Sequence, residues 1–299
     1  MLRKDQQESI GQPIDALTRG DALSAMLASQ LAAVAIVSQA QAEIDCAADH
    51  LAAALSAGKT LVYAAAGSSG LMALADACEF PGTFGVATHQ IRICMAGGVP
   101  TDGVMPGDTE DNVHDAIAAA GEMSPGDTAI VVSASGTTPY ACAFAETASA
   151  QGNTVIAIAN VAGSRLLEVA DVAIALATDA EVIGGSTRLG AGTAQKVALN
   201  MISTQAGILL GHVHDGLMVN VVPDNIKLRK RASRIVTQIT GVTEDIAELA
   251  LIQSGYSTKL AVLIASGLDI EPARDRLESA RGCLRECLTG QKAETTRSN

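Results

Sequence analysis

Two glutamates stand where acid/base chemistry could be done. Glu79 lies in Asp76-Ala77-Cys78-Glu79-Phe80-Pro81, and its flanking Cys and Phe predict a partly desolvated acid suited to proton donation. Glu110 lies in Gly107-Asp108-Thr109-Glu110-Asp111-Asn112, an acidic run that could equally cap the helix predicted to follow it. Two further segments carry small hydroxyl residues and glycines where a helix begins. They are Ala66-Gly67-Ser68-Ser69-Gly70 and Ser133-Ala134-Ser135-Gly136-Thr137-Thr138-Pro139. Free backbone N–H groups and the positive end of the helix dipole favour an anion at such places, and Ser or Thr hydroxyls donate further hydrogen bonds to it. Either loop alone reads equally well as plain helix capping; two in one chain favour a phosphate. Neither is a Walker A loop, since no Lys follows the glycine, and neither is GxGxxG, so nucleotide binding has no support. A third segment, Gly184-Gly185-Ser186-Thr187-Arg188, opens a predicted helix through Gln195, Lys196 and Asn200 to Ser203. It adds hydroxyls and one cation to the candidate site, although Arg188 and Lys196 also read as ordinary solvated helix charge.

Elements able to position these groups follow from the hydrophobic pattern. Short apolar runs bounded by Gly, Asn, Asp or Ser predict buried strands at 60–66, 91–96, 128–134, 154–159 and 172–177. Helix-compatible stretches, including 111–121 and 139–151, lie between them, as crossovers in a parallel sheet require. The expected fold is α/β, a three-layer doubly wound parallel sheet, in which ligands bind beyond the carboxyl ends of the strands. A long helix over 21–57, stopped by Gly58, is predicted ahead of the first strand. The last stretch contains helix-forming pieces at 243–254, 257–265 and 270–288, separated by Gly241, Gly255 and Gly267. The expected division is therefore 1–240 for the sheet domain with its N-terminal helix, and 241–299 for a small helical module.

Composition narrows the partners. The formal charge of −12 repels nucleic acid and anionic membrane surfaces, which leaves a small molecule as the expected ligand. The apolar residues Leu23, Met26, Leu27, Leu31, Val34 and Val37 recur at helical spacing and are interrupted by Gln30, Ser38 and Gln39, the pattern of an amphipathic helix rather than a membrane span. The six cysteines form no CxxC pair and read as reduced core residues in a cytoplasmic protein. The histidines have no metal-ligand spacing, and Cys283 with Cys287 makes only half a ligand set. No metal or organic cofactor is expected.

Taken in order, these segments resemble the N-acetylmuramic acid 6-phosphate etherase family, a branch of the sugar-isomerase (SIS) domain proteins. The resemblance runs from about residue 21 to about residue 288. It is carried by Gly67-Ser68-Ser69-Gly70, Asp76-Ala77-Cys78-Glu79, Ala134-Ser135-Gly136, Gly185-Ser186-Thr187-Arg188-Leu189, Ala191-Gly192-Thr193-Ala194-Gln195-Lys196 and Asn200-Met201-Ile202-Ser203-Thr204. It implies that Glu79 and Glu110 are the catalytic acids. It also implies that Ser68, Ser69, Ser133, Ser135 and Thr138 meet the phosphate, with Ser186 near the sugar hydroxyls. Implied besides are a homodimer, a sugar phosphate substrate, and ether cleavage giving N-acetylglucosamine 6-phosphate and D-lactate. Leu71, Thr137 and Gly190 stand where the family usually carries cations. Another SIS isomerase or lyase, or a non-catalytic phosphosugar regulator, are the competing expectations.

Overall fold

The computed structural model describes residues 12–295, so the start of the expected first domain lies outside the described residues. The chain forms two compact units, Met1–Ala77 with His89–Ser203, and Cys78–Thr88 with Thr204–Asn299.

The first unit is built on a parallel sheet of five strands, β1 (Leu61–Ala65), β2 (Ile91–Met95), β3 (Thr128–Ser133), β4 (Thr154–Ala159) and β5 (Val172–Ala175). The order is β2-β1-β3-β4-β5, so the chain reverses direction across the sheet between β1 and β3. That reversal opens a crevice at the strands' carboxyl ends. Every residue of β1 and β3 is buried, which explains why they read as continuous apolar runs rather than alternating ones. Flanking helices are α1 (Arg19–Val37), α2 (Gln41–Ser56), α3 (Gly67–Phe84), α4 (Val113–Gly121), α5 (Pro139–Ala150), α6 (Arg165–Glu168) and α7 (Gly190–Leu209), of which α3 and α7 run on past the division. Ala141, Phe144, Ala145 and Ala148 of α5 close over Val131, Val155 and Ala157 of the sheet. Alanine on the helix side lets backbone approach backbone closely while the strands supply the branched side chains.

The helix expected over 21–57 is two helices, because a 3-10 turn at Ser38–Ala40 interrupts it. Met26 is partly buried and Val37 buried, but Leu23, Leu27, Leu31 and Val34 on α1 stand 40% to 65% exposed, an apolar stripe left uncovered among the described residues. By length and composition Arg19–Ser56 could cross a membrane, although it is not one helix. All six cysteines are free, but Cys46 and Cys78 are exposed, contrary to the expectation that all are core residues.

The second unit packs α8 (Ile226–Thr240), α9 (Glu244–Gln253), α10 (Thr258–Ala265), α11 (Ile270–Ser279) and α12 (Leu284–Thr295), after a two-stranded hairpin of β6 (Val213–His214) and β7 (Leu217–Met218). Ala232, Ile235 and Val236 of α8 belong to the same core as Ala247, Leu251, Val262 and Leu284, so α8 lies with this unit although it precedes residue 241. The helix expected over 270–288 breaks where Arg281 and Gly282 take left-handed φ values of 50° and 78°.

His212 gives this unit a pH dependence. Burial, helped by the nearby Lys259 charge, lowers it to about 4 against an opposing backbone hydrogen bond with Phe84. The unfolded chain binds this proton near pH 6.5 and the folded chain only near 4. The unfolded state therefore holds more protons between those values, and stability falls as pH drops through the window. Because His212 is only partly buried, the expected loss is about 2 kcal/mol. Chemical denaturation of the wild type and His212→Gln between pH 7 and pH 4 measures it; parallel curves for the two proteins would show that burial of this ring contributes nothing.

Candidate active site

The loops at the strand ends lie where the sheet topology places a ligand. The Gly67 loop follows β1 and the Ser133–Thr138 loop follows β3, so the two flank the crevice. Gly67 has φ +54°, and a β-carbon there would collide with a carboxylate oxygen of Glu110. The side chain of Glu110 is thus laid against the backbone at the head of α3. Its main-chain carbonyl accepts a hydrogen bond from Tyr140 N–H in the first turn of α5, at 3.0 Å. Gly97, just past β2, has φ +73° and leaves room for Pro106 and Thr109, which a β-carbon would meet at 2.6 and 2.7 Å. The segment bearing Glu110 is therefore held against the ends of β1 and β2 and against the first turn of α5. Capping of α4 falls to Asn112, whose side chain accepts from Asp115 N–H at 3.1 Å, so Glu110 is not the cap.

Ser133, Ser135 and Thr138 form one hydroxyl cluster. Ser133 Oγ lies 2.8 Å from Thr138 Oγ1 and accepts from Gly136 N–H at 3.1 Å, while Ser135 Oγ accepts from Thr137 N–H at 3.2 Å. Ser133 is buried and fixes the loop from beneath; Ser135 is exposed and Thr138 half-exposed, so these two can meet a ligand. Gly136 has φ +65°, and any β-carbon there would strike Ser164. On the first loop Ser69 is buried and Ser68 partly exposed, both within the first turn of α3.

Glu79 rides on α3, beyond its midpoint, and is exposed together with Cys78, while Phe80 is buried. The expected desolvation of Glu79 by its sequence neighbours is not found, because adjacent residues of a helix point to different faces. Ser186 sits in the turn before α7, its N–H bonded to the Ile183 carbonyl at 2.9 Å, and among the described residues no hydrogen bond joins it to the serine loops. The head of α7 is capped by Glu181, whose carboxylate accepts from Gly190 and Ala191 N–H at 3.0 and 2.9 Å. That helix terminus already holds its anion.

Tyr63, Asp76 and Asn160, given no role of their own by the sequence motifs, lie in hydrogen-bond networks with Gln195, Asn200 and Ser203 of α7. Buried Asp76 on α3 accepts from Tyr63 OH at 2.7 Å, Asn200 Nδ2 at 2.7 Å and Ser203 Oγ at 2.8 Å. Its burial, with Asp76 as neighbour, pushes the Tyr63 hydroxyl far above its usual range. Gln195 donates to Asn160 Oδ1 at 2.8 Å, and Asn160 donates to the Leu176 carbonyl at 3.1 Å, which pins α7 to the ends of β4 and β5. The available signal was a carboxylate between alanines on a face that also carries Phe80.

Fold and strand-end loops together define an α/β domain of the SIS type. The SIS domain family model matches residues 27–160. A solved structure of a putative sugar-phosphate isomerase from Listeria monocytogenes shares the fold with a TM-score of 0.50 at 13% identity, covering 66% of this chain and 95% of that one. Relatives named N-acetylmuramic acid 6-phosphate etherase are closer. The one from Deinococcus radiodurans is 39% identical over 90% of this chain and 89% of its own length, and that from Cronobacter sakazakii 40% over 84% and 86%. A third, from Symbiobacterium thermophilum, is 43% identical over 73% of each chain. The chain belongs to the N-acetylmuramic acid 6-phosphate etherase family.

Proposed function

We propose that this protein is a carbon–oxygen lyase that cleaves the lactyl ether of N-acetylmuramic acid 6-phosphate, giving N-acetylglucosamine 6-phosphate and D-lactate. The observation that carries the reading is the Glu110 carboxylate, held against Gly67 beside the hydroxyl loops of the crevice, in a chain about 40% identical to etherases across most of its length. The serine loops take the phosphate, through Ser68, Ser69, Ser135 and Thr138, while Ser133 shapes its loop and Ser186 stands towards the sugar.

The difficult step is removal of the proton at C2. It is acidic enough only when the ring is open and C1 is an aldehyde, so a base must be held within hydrogen-bond reach of C2. Glu110 takes that proton. The electron pair left at C2 forms the C2–C3 double bond as the C3–oxygen bond breaks, and Glu79 protonates the departing lactate oxygen. Water then adds at C3 and a proton returns to C2, restoring the sugar. These steps call on side-chain carboxylates alone. Among the described residues no group of three His, Cys, Asp or Glu side chains is placed to hold a metal ion.

Release of D-lactate from N-acetylmuramic acid 6-phosphate, followed with lactate dehydrogenase, tests the reading. Lactate release at a rate proportional to protein supports it. No lactate, but exchange of C2 with solvent on another sugar phosphate, points to an isomerase or a different lyase. Binding without exchange points to a regulator.

The protein works as a cytoplasmic homodimer. Support comes from the exposed stripe Leu23, Leu27, Leu31 and Val34 on α1, an apolar face that a second copy would cover. Light scattering at micromolar concentration should give twice the chain mass, and Leu27→Glu should shift it to the monomer; a wild-type monomer counts against the dimer.

A further inference from the structure

The substrate in this reading carries two anions, a phosphate and the carboxylate of its lactyl group. The hydroxyl loops suit the first, which leaves the second to be matched by a cation. Cations are scarce among the described residues of the first unit. Arg92 is paired with Glu122, Arg165 with Glu146, and Lys59 is bonded to the Pro125 carbonyl at 2.8 Å. Arg19 opens α1, and Arg188 is exposed in the turn ahead of α7. Lys196 differs from all of these in how it is held.

Its anchor runs back to the buried carboxylate. Asp76 is 3% exposed and is the acceptor in its bonds from Tyr63, Asn200 and Ser203. Asn200 must therefore turn its NH2 group to Asp76, as the 2.7 Å bond from Nδ2 to Oδ1 shows. The amide oxygen is thereby turned the other way, where it accepts from Lys196 Nζ. Ser203 and Tyr63 also bond Asp76, at 2.8 and 2.7 Å, and keep it from swinging. Lys196 is exposed, and an ammonium has three donors, so donors remain to face outward. The preceding residue, Gln195, bonds Asn160, whose own N–H donates to the Ala134 carbonyl inside the second hydroxyl loop. The turn of α7 bearing Lys196 is thus fastened at the carboxyl end of β4, beside that loop.

We propose that Lys196 binds the lactyl carboxylate of the substrate and that Asp76, acting through Asn200, is the positioning residue that sets this ammonium. The proposal rests on the etherase reading and deepens it: Lys196 is what distinguishes the muramic substrate from a sugar phosphate lacking the carboxylate.

The test is a pair of calorimetric titrations in a Glu110→Gln background, which should bind without turnover. The ligands are N-acetylmuramic acid 6-phosphate and N-acetylglucosamine 6-phosphate. Lys196→Met should weaken the first about tenfold to a hundredfold, the range for losing a hydrogen bond between charged groups, and leave the second within about twofold. Lys196→Arg should recover part of the loss. With Glu110 intact, Asp76→Asn should raise KM for the muramic substrate with a smaller change in kcat, since an amide at 76 no longer dictates which way Asn200 faces. If Lys196→Met weakens both ligands equally, or neither, the assignment is wrong. Lys196 is exposed, so its variants should fold even if Asp76→Asn does not. Because binding is read directly, the comparison stands even if the wild type releases no lactate, and failure of the etherase reading is then seen separately.

Discussion

Glu110→Gln is expected to abolish exchange of the substrate C2 proton with deuterated water while leaving sugar-phosphate binding intact. A carboxylate at this position can accept the proton; an amide of the same shape cannot do so at neutral pH. General-base assistance is worth about a hundredfold to ten-thousandfold, so the fall in exchange is large against any error in protein concentration. Binding should survive because the substitution keeps the side-chain volume and because the chain locates this residue by its backbone. Tyr140 N–H bonds the Glu110 carbonyl, and Gly67 receives the side chain by lacking a β-carbon. Glu110 is exposed, so the fold should lose at most about 0.5 kcal/mol. Proton NMR of the C2 signal in deuterated buffer reads the exchange, and thermal stabilisation by N-acetylglucosamine 6-phosphate reads the binding. Exchange at the wild-type rate in the variant would assign the base elsewhere.

The framework around Glu110 was legible because it depends on local signals. Strands buried on both faces must be short apolar runs, and the breaks after them must be Gly, Asn, Asp or Ser; the runs at 128–134 and 154–159 became β3 and β4 with ends shifted by no more than a residue. The ligand crevice follows from strand order, which only the three-dimensional pairing of β1 with both β2 and β3 reveals. What failed to show depends on geometry between distant residues or on faces within a helix. Asp76 finds Asn200 and Ser203 at separations of 124 and 127 residues, and no spacing rule reaches that far. The 3-10 turn at Ser38–Ala40 carries neither Gly nor Pro, so an alanine-rich helix gave no sign of its break. Arg281 hides a helix end because a non-glycine residue takes the left-handed conformation there. Membership of α8 in the helical unit is decided by what Ala232, Ile235 and Val236 pack against, whereas Gly241, which ends the helix, resembles a boundary.

Glu79→Gln should separate the second half of the reaction from the first. With Glu110 intact the C2 proton can still be removed, so exchange with solvent remains detectable. Loss of the C3 substituent should slow by about a hundredfold to ten-thousandfold, since the departing lactate oxygen must then leave without a proton. The exposure of Glu79 in the chain sharpens this expectation. Its own helix does not desolvate it, so water is excluded from Glu79 only when substrate is bound. The effect of the substitution is then confined to the complex: the free protein should keep its stability within about 0.5 kcal/mol, as at other exposed positions. A leaving group of lower basicity at C3 needs less protonation, so a substrate analogue with an ester in place of the ether should recover much of the lost rate in Glu79→Gln but none in Glu110→Gln. Lactate release and C2 exchange, measured in the same sample, decide the matter. Should both rates fall together in Glu79→Gln, the two glutamates share proton abstraction and the division of roles between them is incorrect.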